Sequence, residues 1–306
     1  MVTAASDPPG GRTSAVVVHY RTPDETLRAV RAVEETAPAA ETIVVDNASG
    51  DDAGERLRKE SPGTRVLREP ENRGFGAACN RGARESARPY LLFLNSDAYV
   101  STGAIEALEA ALDSDPKAAA VGPRLRNPDG TLQASIRRLP TPWRIFCESS
   151  GLAYIFGGRE PFGGHSATRQ DHDTAREVEA LMGAVLLVRR SAFEEEGGFD
   201  ESFFLYAEET DLMARWRVRG WRLRFEPAAE AVHEGGRSGG DRLFGELHAS
   251  LVRYVRKHHG PVSAWLAASS LWWGAALRYA AALATPGEIG RRRRARYRAA
   301  LSERAR

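Results

Sequence analysis

At 306 residues, with 42% hydrophobic and 27% charged side chains, the chain has the composition of one large folded domain or a domain with an appendage, not of a disordered protein. Two cysteines, Cys79 and Cys147, exclude a disulfide framework and cannot by themselves build a zinc cluster. The net charge of +2 is uneven: residues 291–306 hold eight arginines against Glu303, so the rest of the chain is mildly acidic, which excludes a basic face for nucleic acid.

The N-terminus, MVTAASDPPGGRTS, lacks the apolar run of a signal peptide, so a cytoplasmic protein with a loose lead-in over 1–13 is expected. AVVVHY (15–20) is a continuous apolar run of the kind buried on both faces of a sheet. It stops at Arg21-Thr22-Pro23, where a helix opens with Thr22 as N-cap, Pro23 at the first helical position and Glu25 completing a capping box. TIVV (42–45) is a second strand, ending in Asp46-Asn47 and followed by a polar helix to Ser61. TRVLRE (64–69) is a third, followed by a glycine-led helix in NRGFGAACNRGARES. YLLFL (90–94) is a fourth, ending in Asn95-Ser96-Asp97, with a helix over 102–113. This alternation implies βαβ units and a mainly parallel sheet with right-handed crossovers. After Val121 it breaks. Asn127-Pro128-Asp129-Gly130 is a turn, and residues 132–176 read as a long irregular loop carrying Trp143, Phe146, Tyr154 and Phe156, of the kind that binds ligands. Regular structure resumes at VEALMGAVLLVRR, then a short helix capped by Ser191 with Glu194, a helix over 209–219 and a strand in WRLRF.

In open parallel sheets ligands lie beyond the carboxyl ends of the strands. Tyr20-Arg21, Asp46-Asn47 and Asn95-Ser96-Asp97 occupy three such ends. The absence of GxxxxGKS or GxxxxGKT excludes a P-loop, and Gly74-Phe75-Gly76 starts a GxGxxG that has Cys79 at its third glycine position and follows the wrong strand for a dinucleotide site. Asp171-His172-Asp173 has metal-like composition, but its spacing spreads the side chains over different faces, and it reads as loop.

HYRTPD, VVDNASGDD, ENRGFGAACNRG, LLFLNSDA, MGAVLLVRR, GGFDESFFLYAEETDL and VHEGGRS, in this order within 14–258, resemble the family-2 glycosyltransferases of the GT-A fold, and among them the bacterial rhamnosyltransferase-like members. The resemblance implies an α/β GT-A domain with a Rossmann-like, mainly parallel sheet over 14–240, the 132–176 loop lying on its acceptor side. It also implies transfer of a sugar from a nucleotide diphosphate donor with inversion at the anomeric carbon. On the same resemblance Tyr20, Asp46, Arg73, Gly74, Asn80, Asn95 and Ser96 bind the donor, with Gly74 permitting close backbone approach. Asp97 and His233 hold Mg²⁺ or Mn²⁺; Asn95 stands where the DxD motif has its first carboxylate. Glu208-Glu209-Thr210-Asp211 stands at the ED-x-D motif. Glu209 takes the place of the general base, usually Asp, with Glu208 beside it and Asp211, Met182 and Gly183 on the acceptor side. A base is needed because a sugar hydroxyl is a poor nucleophile. The implied donor is dTDP-rhamnose, and the implied acceptor a glycan or polyprenyl-diphosphate-linked sugar of cell-envelope polysaccharide synthesis. Another hexosyl or galactofuranosyl donor is the alternative, as is a degenerate sugar-nucleotide-binding protein without turnover, to which Asn95 and Glu209 point.

Residues 245–259 read as an amphipathic helix with Leu247, Leu251, Val252 and Val255 on one side. The stretch 262–284, interrupted only by Arg278, is long enough to span a bilayer. A single span would carry Arg291–Arg294 across, against the positive-inside rule. The 241–306 appendage is therefore expected to be a helical hairpin or a set of in-plane helices, with Arg291–Arg306 at the inner face of the cell membrane. Two soluble helices packed on the domain are the alternative.

Overall fold

The computed structural model describes residues 10–166, 169–235 and 242–302; most of the lead-in, the end of the VHEGGRS segment and the last four residues of the arginine tail lie outside these. The first half follows the expected alternation: β1 (Thr13–His19), α1 (Pro23–Thr36), β2 (Glu41–Asp46), α2 (Ala53–Glu60), β3 (Arg65–Arg68), α3 (Phe75–Arg84), β4 (Tyr90–Asn95), β5 (Ala98–Val100) and α4 (Ala104–Ser114). The second half comprises β6 (Ala118–Arg126), β7 (Leu132–Gln133), β8 (Ile136–Arg137), α5 (Pro142–Ser150), α6 (Leu152–Ile155), β9 (Arg176–Val178), β10 (Ala180–Leu181), β11 (Val185–Arg189), α7 (Arg190–Glu195), α8 (Glu208–Val218), β12 (Arg222–His233), α9 (Arg242–Leu283) and α10 (Gly287–Ser302).

The main sheet has the order β3-β2-β1-β4-β11-β6-β12-β5. Its first four strands are parallel, β11 runs antiparallel to both β4 and β6, and β12 is parallel to β6. Helices cover both faces, which is why β1 and β2 are apolar without alternation. Ala15 and Val17 pack with Leu27, Val30 and Ile105 on one side. Val16 and Val18 pack with Phe93, Phe199 and Trp216 on the other.

Four local expectations are corrected. Thr22 precedes α1 but makes no cap; its buried hydroxyl donates to Ser96 Oγ at 2.8 Å, a tertiary contact that outcompetes the capping box. Ser191 lies inside α7, which has no side-chain cap, and Glu194 pairs with Arg190 instead. The 132–176 stretch is not irregular throughout: α5 opens on Thr141, whose hydroxyl accepts the Arg144 N–H at 3.2 Å, with Pro142 following. WRLRF is only the start of β12, a single strand that reaches His233 across a bulge between Glu226 and Glu230.

Gly260, at φ 85° and ψ 173°, breaks α9 before Pro261, which has no N–H to continue the ladder. Leu251, Tyr254 and Val255 before the break, and Ala264, Ala267 and Leu271 after it, share one buried cluster with Ile145 of α5 and Ala214 of α8. Arg278 donates to the carbonyls of Ser149 and Glu148 at the end of α5, so the cation inside the apolar stretch is held by protein. α10 folds back, with Arg294 Nη1 on the Ala282 carbonyl at 2.8 Å and Tyr297 against Phe244 at 5.9 Å between ring centres. Among the described residues no helix is long and apolar enough to cross a membrane.

Candidate active site

β4 ends at Asn95, whose backbone N–H donates to the Ala184 carbonyl at 3.0 Å. The chain then turns through Ser96 and Asp97, and β5 runs back along β12 with Ala98 opposite His233. That register sets Asp97 beside His233: Oδ1 lies 3.4 Å from Nε2, and Asn95 Nδ2 lies 3.5 Å from the same nitrogen. The other ring nitrogen, Nδ1, is 2.7 Å from Gln133 Oε1. Gln133 Nε2 donates to Asn127 Oδ1 at 2.9 Å and to the His233 carbonyl at 3.1 Å, which turns the amide oxygen toward the ring. Nδ1 is thereby held protonated, and Nε2 is the nitrogen that faces Asp97, donating to it when the ring is charged and free to offer its lone pair when the ring is neutral. Burial pushes the Asp97 carboxyl up, but His233 and the backbone N–H of Gly235 outweigh it and hold it below its ordinary value. A carboxylate and an imidazole nitrogen at this separation suit Mg²⁺ or Mn²⁺ when diphosphate oxygens and water complete the shell. Among the described residues no group of three or more His, Cys, Asp and Glu could hold a metal ion.

The second half of the site is the start of α8. Tyr206 and Ala207 take φ values of 67° and 65°, left-handed backbone that is uncommon outside glycine and costs about 1 kcal/mol or more at each position. This turn aims the two glutamates apart. Glu208 is buried under α3, where a Cβ on Gly76 would come within 3.4 Å of Glu208 Cβ, and its Oε2 has no hydrogen-bond partner among the described residues. Glu209 is half-buried against Gly183, where an added Cβ would come within 2.9 Å of Glu209 Cγ. Gly183 thus makes room for the carboxylate, and its neighbour Ala184 holds Asn95, so two residues link the acidic helix to the Asp97 turn. Met182 precedes them, its N–H on the Ser135 carbonyl at 2.8 Å. Burial raises both carboxyls. Glu208 is pushed well up, further so by the charge of Glu209. Glu209 rises less, because backbone N–H groups of α8 and the charge of Arg137 oppose its burial.

The remaining expected residues divide. Asp46 is buried at the end of β2, its Oδ1 accepting the Ser49 N–H at 2.9 Å, and Tyr20 lies at the end of β1 with the Arg21 guanidinium over its ring at 5.1 Å. Arg73 is exposed and pairs with Glu201 at 2.7 Å. Gly74, at φ 94°, lies so close to the loop before α8 that a Cβ there would collide with the Phe204 carbonyl. Asn80 holds protein groups. Its amide is bound to the Phe199 N–H and carbonyl, each at 2.9 Å, and to Glu201 at 3.1 Å, which pins the loop after α7. Asn47, which was not singled out as a site residue, fastens the donor-side loop by donating to Asn72 Oδ1 and the Gly74 carbonyl and accepting from the Arg73 N–H. The loop reading of Asp171-His172-Asp173 agrees with His172 accepting the Ser135 and Ile136 N–H groups.

Asp211 sits at the joint between α8 and α9. It is fully buried and contacts Arg215, Lys257 and His258, each at 2.8 Å, which ties α9 to α8. Asp211→Ala removes the buried carboxylate these three groups share, leaving Lys257 with Asp200 and Arg215 with Glu196, and is expected to cost about 1.5–3 kcal/mol in urea unfolding. Burial raises the Asp211 carboxyl, but His258, Lys257 and Arg215 prevail and lower it. Its contribution is accordingly present above the ordinary carboxylate range and lost as pH falls below it, a pH dependence the variant should lack.

Residues 14–196 match the domain described as glycosyl transferase family 2. Over 254 residues the chain is 34% identical to the N-acetylglucosaminyl-diphospho-decaprenol L-rhamnosyltransferase of Mycobacterium tuberculosis, covering 78% of each chain. In fold it is similar to the mannosyltransferase PcManGT from Pyrobaculum calidifontis, solved with GDP-Man and Mn²⁺, at a TM-score of 0.60 and 16% identity over 99% of this chain and 90% of that one. GalNAc-T7, solved with UDP, GalNAc and Mn²⁺, follows at 0.58 and 17% identity over 94% of this chain and 54% of that one. With the matched domain running from β1 through α7, the chain belongs to glycosyl transferase family 2 and is a glycosyltransferase of the GT-A fold.

Proposed function

We propose that the protein is an inverting, metal-dependent L-rhamnosyltransferase that uses dTDP-rhamnose and a polyprenyl-diphosphate-linked sugar acceptor in cell-envelope polysaccharide synthesis. The observation that carries this reading is the linkage of Glu209, Gly183, Ala184 and Asn95 into one site, in a chain 34% identical to a decaprenol-linked rhamnosyltransferase. Glu209 accepts the proton of the acceptor hydroxyl as its oxygen attacks the anomeric carbon. The bond to the donor phosphate breaks on the opposite face, and the nucleoside diphosphate leaves with the electron pair. A divalent cation bound by Asp97 and His233 would neutralise the departing diphosphate. Ser96 and the Asp46 and Tyr20 strand ends line the donor side, and Met182 and Gly183 the acceptor side.

The acceptor's lipid places the reaction at a membrane, and the protein offers a peripheral contact there, at the cytoplasmic face. Trp143, Phe146, Tyr154 and Phe156 of the α5–α6 region and Trp265 and Trp273 of α9 are exposed, and α10 presents Arg291, Arg292 and Arg293 to solvent. Each arginine near an anionic surface is worth about 1 kcal/mol, screened by salt.

One assay tests the reading: transfer from a panel of nucleotide sugars to a polyprenyl-diphosphate-linked N-acetylglucosamine in anionic vesicles. Turnover with dTDP-rhamnose above all other donors is expected, and Arg291→Gln, Arg292→Gln and Arg293→Gln together should slow transfer in vesicles while leaving a short-chain soluble acceptor unaffected. Turnover confined to another donor would overturn the rhamnose assignment, and indifference to anionic lipid would overturn the membrane contact.

A further inference from the structure

We propose that the cavity of about 450 Å³ formed by α6 and the loop after it, lined by Ile155, Phe156, Pro161, Phe162, Arg159 and Arg169, binds the prenyl diphosphate of the lipid-linked acceptor. The proposal rests on the functional reading above and gives the acceptor lipid a place. The lining combines apolar walls with two guanidinium groups, the chemistry of an anion attached to a hydrocarbon. Phe156 stacks on Phe162 at 4.5 Å between ring centres. Phe162 lies 6.2 Å from Trp143, and Trp143 stacks on Phe146 at 5.5 Å, so the apolar wall continues out to exposed aromatic side chains. Such rings favour the boundary between headgroups and acyl chains.

Charge completes the fit. Glu160 in the same lining is held by Arg138 at 2.9 Å and Arg144 at 3.4 Å. Neither Arg159 nor Arg169 has a carboxylate partner among the described residues. Two guanidinium forks at an apolar wall match a diphosphate better than lysines would, because each fork can bind phosphate oxygens in pairs.

The loop that lines the cavity is tied to β8, whose Arg137 also acts on the base. Arg137 of β8 donates to the Ser166 carbonyl at 2.8 Å, and its charge acts on both Tyr154 of α6 and Glu209. The Arg138 N–H binds the His165 carbonyl at 2.9 Å, which fastens the cavity loop to β8. An acceptor whose diphosphate sits at Arg159 and Arg169 extends its sugar past Arg137 toward Glu209, while its prenyl chain leaves along Phe156 toward lipid.

The test is a calorimetric titration of the full chain and of Arg159→Ala/Arg169→Ala with farnesyl diphosphate, in the presence of Mg²⁺ and saturating dTDP. Loss of charge-assisted hydrogen bonds from both sites should weaken binding by about tenfold or more. Inorganic pyrophosphate, which has the anion without the tail, should bind the wild type more weakly than farnesyl diphosphate. In the transfer assay the double variant should show the same rise in KM for a lipid-diphosphate acceptor, with kcat, the donor KM and transfer to a phosphate-free octyl glycoside unchanged. Equal farnesyl diphosphate affinity in the two proteins, or no binding while dTDP is present, would overturn the cavity assignment. Normal binding and its loss in the variant, without transfer to any lipid-linked acceptor, would sink the functional reading and leave the cavity standing.

Discussion

Glu209→Gln should lower kcat by about 10²–10⁴, the range a positioned general base supplies, with the donor's dissociation constant nearly unchanged. Glutamine keeps the shape that Gly183 accommodates and loses only the capacity to take a proton. Glu208→Gln should be far milder. Burial and the neighbouring charge push the Glu208 carboxyl well up, toward the neutral form that glutamine resembles. Steady-state kinetics on both variants decides the assignment; the reverse order of severity would exchange the roles of the two residues. The pH profile adds a signature. Burial raises the Glu209 carboxyl, and a base works only when deprotonated, so the acid limb of kcat/KM should lie above the ordinary glutamate range. Activity is retained above that limb and falls as pH drops through it, and Glu209→Gln should abolish the limb along with the rate.

Asp97→Ala should reduce turnover by about 10³-fold or more, because a cation at a departing diphosphate stabilises several kcal/mol of developing charge. Nucleoside diphosphate binding measured with Mn²⁺ should weaken, whereas binding measured in EDTA should be similar in the variant and the wild type. Gln133→Leu offers a graded comparison. It leaves Asp97 and His233 in the chain but removes the partner that fixes the proton on Nδ1, and outer-shell losses of this kind cost about 10–100-fold in metal affinity. An Asp97→Ala enzyme with normal rates, or a wild type that works equally well in EDTA, would remove the metal from the mechanism.

Much of this architecture was legible in local sequence. The run AVVV (15–18) is apolar at every position because β1 is covered on both faces, and an unbroken apolar run of strand length suffices to detect such a strand. The polar groups that end β1, β2 and β4 were equally visible, since the chain must turn there and ligands lie beyond such ends. Cap signals were less dependable. Thr22-Pro23 and Thr141-Pro142 are the same dipeptide, yet only Thr141 caps its helix, while Thr22 turns its hydroxyl to Ser96. Nothing within a few residues of either threonine distinguishes them; the competing acceptor lies 74 positions away.

Composition, the strand–helix alternation and the order of the motifs were set by the sequence alone, because each depends on neighbours along the chain. The fate of individual polar side chains was decided by tertiary structure, because it depends on which partner arrives from elsewhere. Asp211 and Glu209 lie two positions apart in one acidic motif, but α9 brings Lys257 and His258 to the first, and Gly183 opens a space for the second. His233 faces Asp97 through Nε2 and Gln133 through Nδ1 only because β5 pairs with β12 and β7 delivers Gln133 to its far side. The C-terminal stretch was apolar enough in sequence to suggest a span. Gly260 and the carbonyls that receive Arg278 turn it into one arm of a packed hairpin, since a buried guanidinium must find acceptors and α5 supplies them.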